Sequence, residues 1–279
     1  MTMQLPPIPA AGLVETKSAL HAAAKVLGDQ LKRTRPRRKH WWHASLRLSL
    51  HGLTTGVIAG EVDVELEIDF AESELLFRSS SGETREVSLR GQSAREISDS
   101  VHAFYDSVGF VSDKSQRGDH ERDETIQPDY STEVAGAMGE TFRAVGNQFA
   151  ALRASFREEA SPIQVWPHHF DLSMLWLPGT LIDGQDPADE ESADQQLNFG
   201  FTFGDGTISE PYFYITAYPT SDAYASIDLP DGARWQTDGF SGVVMPLAAL
   251  EGRQDPAAHL QDLWGRCLAF GREHLGAKR

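Results

Sequence analysis

The sequence predicts an α+β chain: antiparallel sheets covered on one face by helices, in two similar halves that each run helix, about four strands, helix. Three observations carry that expectation. Val62–Phe70 alternates strictly, with Val62, Val64, Leu66, Ile68 and Phe70 against Asp63, Glu65, Glu67 and Asp69, the mark of a sheet with one buried face. Long segments between the strand patterns carry apolar residues at helical spacing with recognisable caps. The same element order then recurs, and each half's first strand opens on a Trp/His-rich stretch: KHWWHASLRLSLHG (Lys39–Gly52) and SPIQVWPHHFDLSMLWLPG (Ser161–Gly179).

Taken in order, residues 1–10 are Pro-rich and extended. Leu20, Ala24, Leu27 and Leu31 predict a helix from Leu13 to about Leu31, closed by Lys and Arg at the negative end of its dipole. Strands follow at His43–His51, Val62–Phe70, Glu74–Ser79 and Thr84–Arg90, with Ser80-Ser81-Gly82 turning the third into the fourth. Ser93 and Glu96 form a capping box for a helix through Ile97, Val101, Phe104 and Val108, with Gly109 as its C-cap. Residues 111–131 connect as a polar loop. A long helix is expected from Thr132 to Glu159, ended by Pro162. Strands follow at His168–Leu177, Leu197–Phe203, Pro211–Tyr218 and within Ala233–Val244. Pro256 opens a last helix with Leu260, Leu263, Cys267 and Phe270 inward. The expected division is therefore a first half over 1–110, the loop 111–131 and a second half over 132–279, forming one compact unit.

With 279 residues the chain is long enough to bury a large core without disulfides, and Cys267, its single cysteine, excludes an internal one. Reducing cytoplasm suits that usage, and neither a secretory leader pattern nor a membrane-length apolar run is read. The net charge of −16 is uneven: residues 1–50 hold nine Lys/Arg against two Asp/Glu, and the remainder 16 against 39. Such an acidic body repels nucleic acid and anionic membrane, so neither is an expected partner. The basic run KRTRPRRK (Lys32–Lys39) reads first as a solvated linker leaving the helix; its chemistry also suits a phosphate or a nucleic acid. Asp183–Asp194 holds six acidic and no basic residues and reads as a surface loop without the glycine and oxygen spacing of an EF-hand.

The motifs HWWH (His40–His43), GLTT (Gly52–Thr55), Ser161-Pro162, Trp166 and FDL (Phe170–Leu172) carry a resemblance. Over most of residues 37–220 the chain resembles the bacterial family catalogued as domain of unknown function 5996. That resemblance implies a cytoplasmic bacterial protein and brings no activity with it.

Nucleophile motifs are missing: there is no G-x-S-x-G and no phosphate-binding glycine loop. Cys267, on the apolar side of a helix, reads as a packed thiol. The leading expectation is a small molecule bound in a cleft between the halves, near the two Trp/His strand starts, by Trp42, His43, Arg47, His169, Asp171, Tyr212 and Tyr214. On strand geometry His43, Arg47 and His51 share a face, as do His169 with Asp171 and Tyr212 with Tyr214 and Tyr218, while His168 points away from His169. Arg47 would pair across strands with Glu65 or Glu67. A second expectation is a metal-dependent hydrolase or oxygenase holding a divalent metal on His40, His43, His169 and Asp171, with metal the less favoured cofactor. A third is an interaction module presenting the tyrosine face to a partner, a second copy of the chain included.

Overall fold

The computed structural model describes residues 3–113 and 117–275. Residues 1–2 of the Pro-rich start, 114–116 of the connecting loop and 276–279 lie outside the described residues. The chain is α+β, with two antiparallel sheets and helices packed on them, and it divides into two compact units whose boundaries interleave.

The first unit comprises Leu5–Ala144 and Gln164–Phe170. Helix α1 (Leu13–Thr34) buries Leu20, Ala24, Leu27 and Leu31, the stripe its spacing predicts. It stops where Arg35 turns extended, as a residue preceding proline favours. A 3₁₀ turn (Lys39–Ala44) leads to β1 (Arg47–Leu48), β2 (Gly52–Thr54), β3 (Val64–Asp69), β4 (Glu74–Ser79) and β5 (Thr84–Ser88), a meander in strict sequence order. Helix α2 (Ala94–Val108) starts on the capping box of Ser93 and Glu96 and ends on Gly109 at φ 75°. Helices α1 and α2 pack on each other, α1 against β3 and α2 against β4. Phe77 meets Phe104 at 5.6 Å there.

The expected strand His43–His51 is corrected. Alternation of Ala44, Leu46, Leu48 and Leu50 imitates a strand, but His40 (φ 46°) and Trp41 (φ 58°) are left-handed and wind 39–44 into a turn. Ser49 then donates to the Gly52 carbonyl at 3.0 Å and closes a second turn, leaving Leu50 77% exposed. The acidic face of β3 is also not bare: Glu67 and Asp69 are buried.

The polar loop after α2 is anchored by one side chain. Glu121, in the 3₁₀ turn Asp119–Arg122, is fully buried. Its carboxylate accepts from Gln30 Nε2 and Arg33 at 2.6 Å each, Ser98 Oγ at 3.2 Å and the Gly118 N–H at 2.8 Å. A carboxylate this deep is stable only when paired and fully hydrogen-bonded, and those donors supply that.

Helix α3 (Thr132–Ala154) carries the chain from the first unit into the second. It ends five residues before the expected Glu159. Ser155 bonds the Leu152 carbonyl through both N–H and Oγ, tightening the last turn, and Glu159–Ala160 forms β6. Pro162 is therefore not its terminator. Strand β7 (Gln164–Trp166) returns to the first unit, where Val165 and Leu46 exchange backbone hydrogen bonds of 3.0 Å.

The second unit comprises Met1–Gln4, Val145–Ile163 and Asp171–Arg279. It contains β6, β8 (Asp171–Leu177), α4 (Glu190–Ala193), β9 (Gln196–Thr202), β10 (Tyr212–Tyr218), β11 (Arg234–Gln236), β12 (Gly242–Pro246) and α5 (Pro256–His274). The strand order is β11-β12-β10-β9-β8-β6, so the last two strands exchange places and the order is no strict meander. Pro256 opens α5 behind an Asp255 cap, as its position predicts. Trp264 of α5 stacks on Phe149 at 4.7 Å and meets Phe213 of β10 edge-on at 6.1 Å. That apolar contact takes one face of β10 and turns Tyr212 and Tyr214 to the other. No helix among the described residues is long and apolar enough to cross a membrane.

Candidate functional site

Within the first unit, the segment from the end of α1 to β1 assembles a group of donors. The two left-handed residues reverse the chain's winding, so rings pair at every second position. His40 stacks with Trp42 at 6.1 Å and Trp41 with His43 at 5.5 Å. A left-handed non-glycine residue costs roughly 1–2 kcal/mol, and two in succession persist only where the surroundings over-determine them. The Arg38 N–H donates to His43 Nδ1 at 3.2 Å, which keeps the imidazole proton on Nε2. Burial, then the cations around it, Arg37 first, lowers the His43 pKa, so the ring is neutral at pH 7.

Arg47 lies behind this turn. Its guanidinium donates to Ser45 Oγ at 2.6 Å, the Trp42 carbonyl at 3.2 Å and Gln164 Oε1 at 3.3 Å. All are neutral acceptors; the single Ser45 Oγ proton goes either to Gln164 Oε1 at 2.7 Å or to the Trp42 carbonyl at 2.9 Å. The expected pairing of Arg47 with Glu65 or Glu67 is corrected. Glu65 accepts from Thr54 Oγ1 at 2.6 Å, and Glu67 pairs with Arg78 at 2.7 Å. Burial, then Arg35 and Arg38, brings the Arg47 pKa down to about 10. Two more donors in this region, Trp42 Nε1 and Gln164 Nε2, are buried without a hydrogen-bond partner. A turn, and not one strand face, puts Arg47 on the Trp42 carbonyl and His43 against the Arg38 N–H.

His168 and His169 also depart from the expected strand. Residues 167–170 form a turn, with Phe170 left-handed at φ 57°. The two imidazoles lie beside each other at 4.6 Å and are exposed, where strand geometry would have set them on opposite faces. Phe170 points inward, stacked on His21 at 5.5 Å and packed against Phe142 at 5.7 Å. Gly28 of α1 lets this turn approach: a Cβ there would stand 2.6 Å from the Pro167 ring.

In the second unit, Asp171, Tyr212 and Tyr214 gather on one face of the sheet. The Tyr214 hydroxyl donates to Asp171 across the intervening strand β9. Its ring can lie there because β9 has Gly200 opposite Tyr214, and a Cβ at that position would fall 2.0 Å from the ring. The Tyr212 hydroxyl donates to Asp205 at 2.5 Å, and its ring stacks on Phe240 at 6.5 Å. Burial first, then the Asp171 charge, pushes the Tyr214 pKa far up, so its hydroxyl stays a donor. Tyr212 is 2% exposed and Tyr218 37%, so of the predicted tyrosine face it is Tyr218 that meets solvent most.

Among the described residues, no group of three or more His, Cys, Asp or Glu side chains is placed to share a metal ion, and His40, His43, His169 and Asp171 form no such set. Sequence reasoning missed Gln164, Ser45, Asp205 and Gly200 as site residues, and reached Arg35 and Arg38 only as members of the basic run Lys32–Lys39. A glutamine within the apolar run IQVW and a glycine inside the strand NFGFT were the available signals, since each breaks the pattern of a packed strand.

A family model described as a family of unknown function (DUF5996) matches residues 5–271. No curated protein and no solved structure matches the chain.

Proposed function

The chain belongs to this family of unknown function, and from that premise we propose that it binds a small molecule, with the group around Trp42, His43, Arg47 and Gln164 as the recognition site. One observation carries the reading: Arg47 is a partly buried cation with only neutral acceptors. A buried charge is ordinarily paired, because desolvation is otherwise uncompensated. A charge retained at a cost to the empty protein, beside buried donors without acceptors, fits a ligand that brings acceptor oxygens. Cytoplasmic residence belongs to the same reading, supported by a buried free thiol at Cys267 whose pKa burial pushes up to about 12.

The reading is tested by thermal-shift screening of a metabolite library against the full chain and its Arg47→Met variant. A ligand at about 100 times its Kd stabilises by about 2.7 kcal/mol, an easily read shift. Compounds that stabilise the wild type and not the variant are the expected result. Compounds that act equally on both, or a library in which none acts on the wild type, contradict it.

A further inference from the structure

We propose that the ligand of the Arg47 group carries a phosphomonoester, held by Arg47 together with Arg35 and Arg38. This rests on the ligand-binding reading above but is carried by a separate observation, the distribution of charge partners. The protein is acid-rich, with 41 Asp/Glu against 25 Lys/Arg. Many arginines elsewhere have found carboxylates, among them Arg33 with Glu121 at 2.6 Å, Arg78 with Glu67 at 2.7 Å, Arg117 with Asp99 at 2.6 Å and Arg272 with Glu158 at 2.8 Å, while Arg143 and Arg234 bind single neutral oxygens at 3.0 and 3.4 Å. Arg47 instead binds Ser45 Oγ and backbone or amide oxygens. Arg35 binds the carbonyls of Thr55 at 2.6 Å and Val57 at 2.8 Å. Arg38 offers its backbone N–H to His43. No carboxylate lies within ion-pair distance of these three guanidinium groups among the described residues.

The sequence holds the three in place. Pro36 keeps Arg35 extended just past the end of α1, the left-handed pair at His40 and Trp41 turns the chain directly after Arg38, and β1 begins at Arg47. Arg35 reaches the Thr55 carbonyl, next to Thr54, the residue paired with Arg47 across β1 and β2, and the charges feel one another: Arg35 and Arg38 disfavour the charged form of Arg47, and Arg38 that of Arg35. Neutral His43 adds an Nε2–H donor beside them. Three neighbouring guanidiniums call for more than a single negative charge. A phosphomonoester supplies about −1.5 to −2 at pH 7 and three acceptor oxygens, which a monocarboxylate does not. Guanidinium groups match its oxygens in bidentate geometry. Arg35 and Arg47 are partly exposed and Arg38 is exposed, so a small phosphate ester reaches them from solvent.

The test is calorimetric titration of the full chain with inorganic phosphate, a simple alkyl phosphate, acetate and a short single-stranded oligonucleotide. Both phosphates should bind at least tenfold more tightly than acetate, and the alkyl phosphate more tightly than the oligonucleotide. Arg47→Met and Arg35→Met should each lower phosphate affinity at least tenfold, while Arg272→Met, which pairs with Glu158 in the second unit, leaves it unchanged. Affinity should also fall as pH drops below the second phosphate pKa. Equal binding of acetate, equal phosphate binding by the variants, or tighter binding of the oligonucleotide overturns the proposal. If library compounds need Arg47 but phosphate neither binds nor competes with them, the phosphate assignment falls and the ligand-binding reading stands. If neither needs Arg47, both fall.

Discussion

Replacing Arg47 by Met should leave the stability of the empty protein nearly unchanged, which is unusual for a partly buried arginine. Arg47 has its pKa brought from 12.5 to about 10 by burial and then by the charges of Arg35 and Arg38. At about 1.4 kcal/mol per pH unit this is about 3 kcal/mol against the charged form. In its favour are five neutral acceptors at 2.6–3.4 Å, four sharing the two Nη1 protons and one on Nη2, which amounts to about three full hydrogen bonds, each worth about 1 kcal/mol net. The two sides cancel, and methionine keeps most of the apolar stem's packing. Arg47→Met is therefore expected within about 1 kcal/mol of the wild type. The internal control is Arg33→Met, which would take from fully buried Glu121 its cation at 2.6 Å and should cost about 3–5 kcal/mol. Urea unfolding followed by tryptophan fluorescence measures both. A loss above about 3 kcal/mol for Arg47→Met would make that arginine a structural element and refute the reasoning.

Three further outcomes follow from the same contacts. Burial and then Glu121 raise the Asp29 pKa, so the folded protein holds that proton more tightly than the unfolded chain; Asp29→Asn should stabilise at pH 7, and the gain should vanish below the unfolded carboxylate range, as a pH series of unfolding curves reads. Gly200→Ala puts a Cβ 2.0 Å from the Tyr214 ring and should cost about 1–3 kcal/mol, with the Tyr214 hydroxyl, freed from Asp171, titrating closer to the ordinary tyrosine range by ultraviolet absorbance. The hydrogen-bonded Arg272 guanidinium holds the Glu158 pKa down to about 2, so the pair's contribution is present above the unfolded pKa and lost as pH falls through about 2; Arg272→Ala should cost up to about 1 kcal/mol at pH 7 and less as acid is added.

Sequence reading succeeded where the physics is local. The Ser93–Glu96 capping box and the left-handed Gly109 depend on neighbours within four residues, and both stand in α2. The alternation around β3 likewise reports a face that a helix pair covers, and Val64, Leu66, Ile68 and Phe70 are all buried. It failed at the two Trp/His stretches for one shared reason. Left-handed backbone at His40, Trp41 and Phe170 interrupts the period of two; tryptophan and phenylalanine carry no sequence signal of positive φ, and histidine only a weak one. Once the period breaks, face assignments downstream invert or lapse, as they did for His43 with His51 and for His168 with His169. Arg47 shows the other limit. Its sequence neighbourhood offers carboxylates on an adjacent strand pattern, yet Thr54 and Arg78 take Glu65 and Glu67. Which cation wins a carboxylate is decided by tertiary register, which no local pattern carries. The basic run 32–39 was readable as charge, and its role as a frame for Arg35 and Arg38 emerges only with the turn that follows it.

The most direct measurement is an anomalous diffraction experiment on crystals of the full chain soaked in tungstate, a tetrahedral dianion that scatters strongly. The account predicts a difference peak within hydrogen-bond distance of the Arg47 guanidinium, shared with Arg35 or Arg38 and absent from Arg47→Met crystals. Ordered tungstate at other cations with none at Arg47, or a peak that persists in the variant, would contradict it.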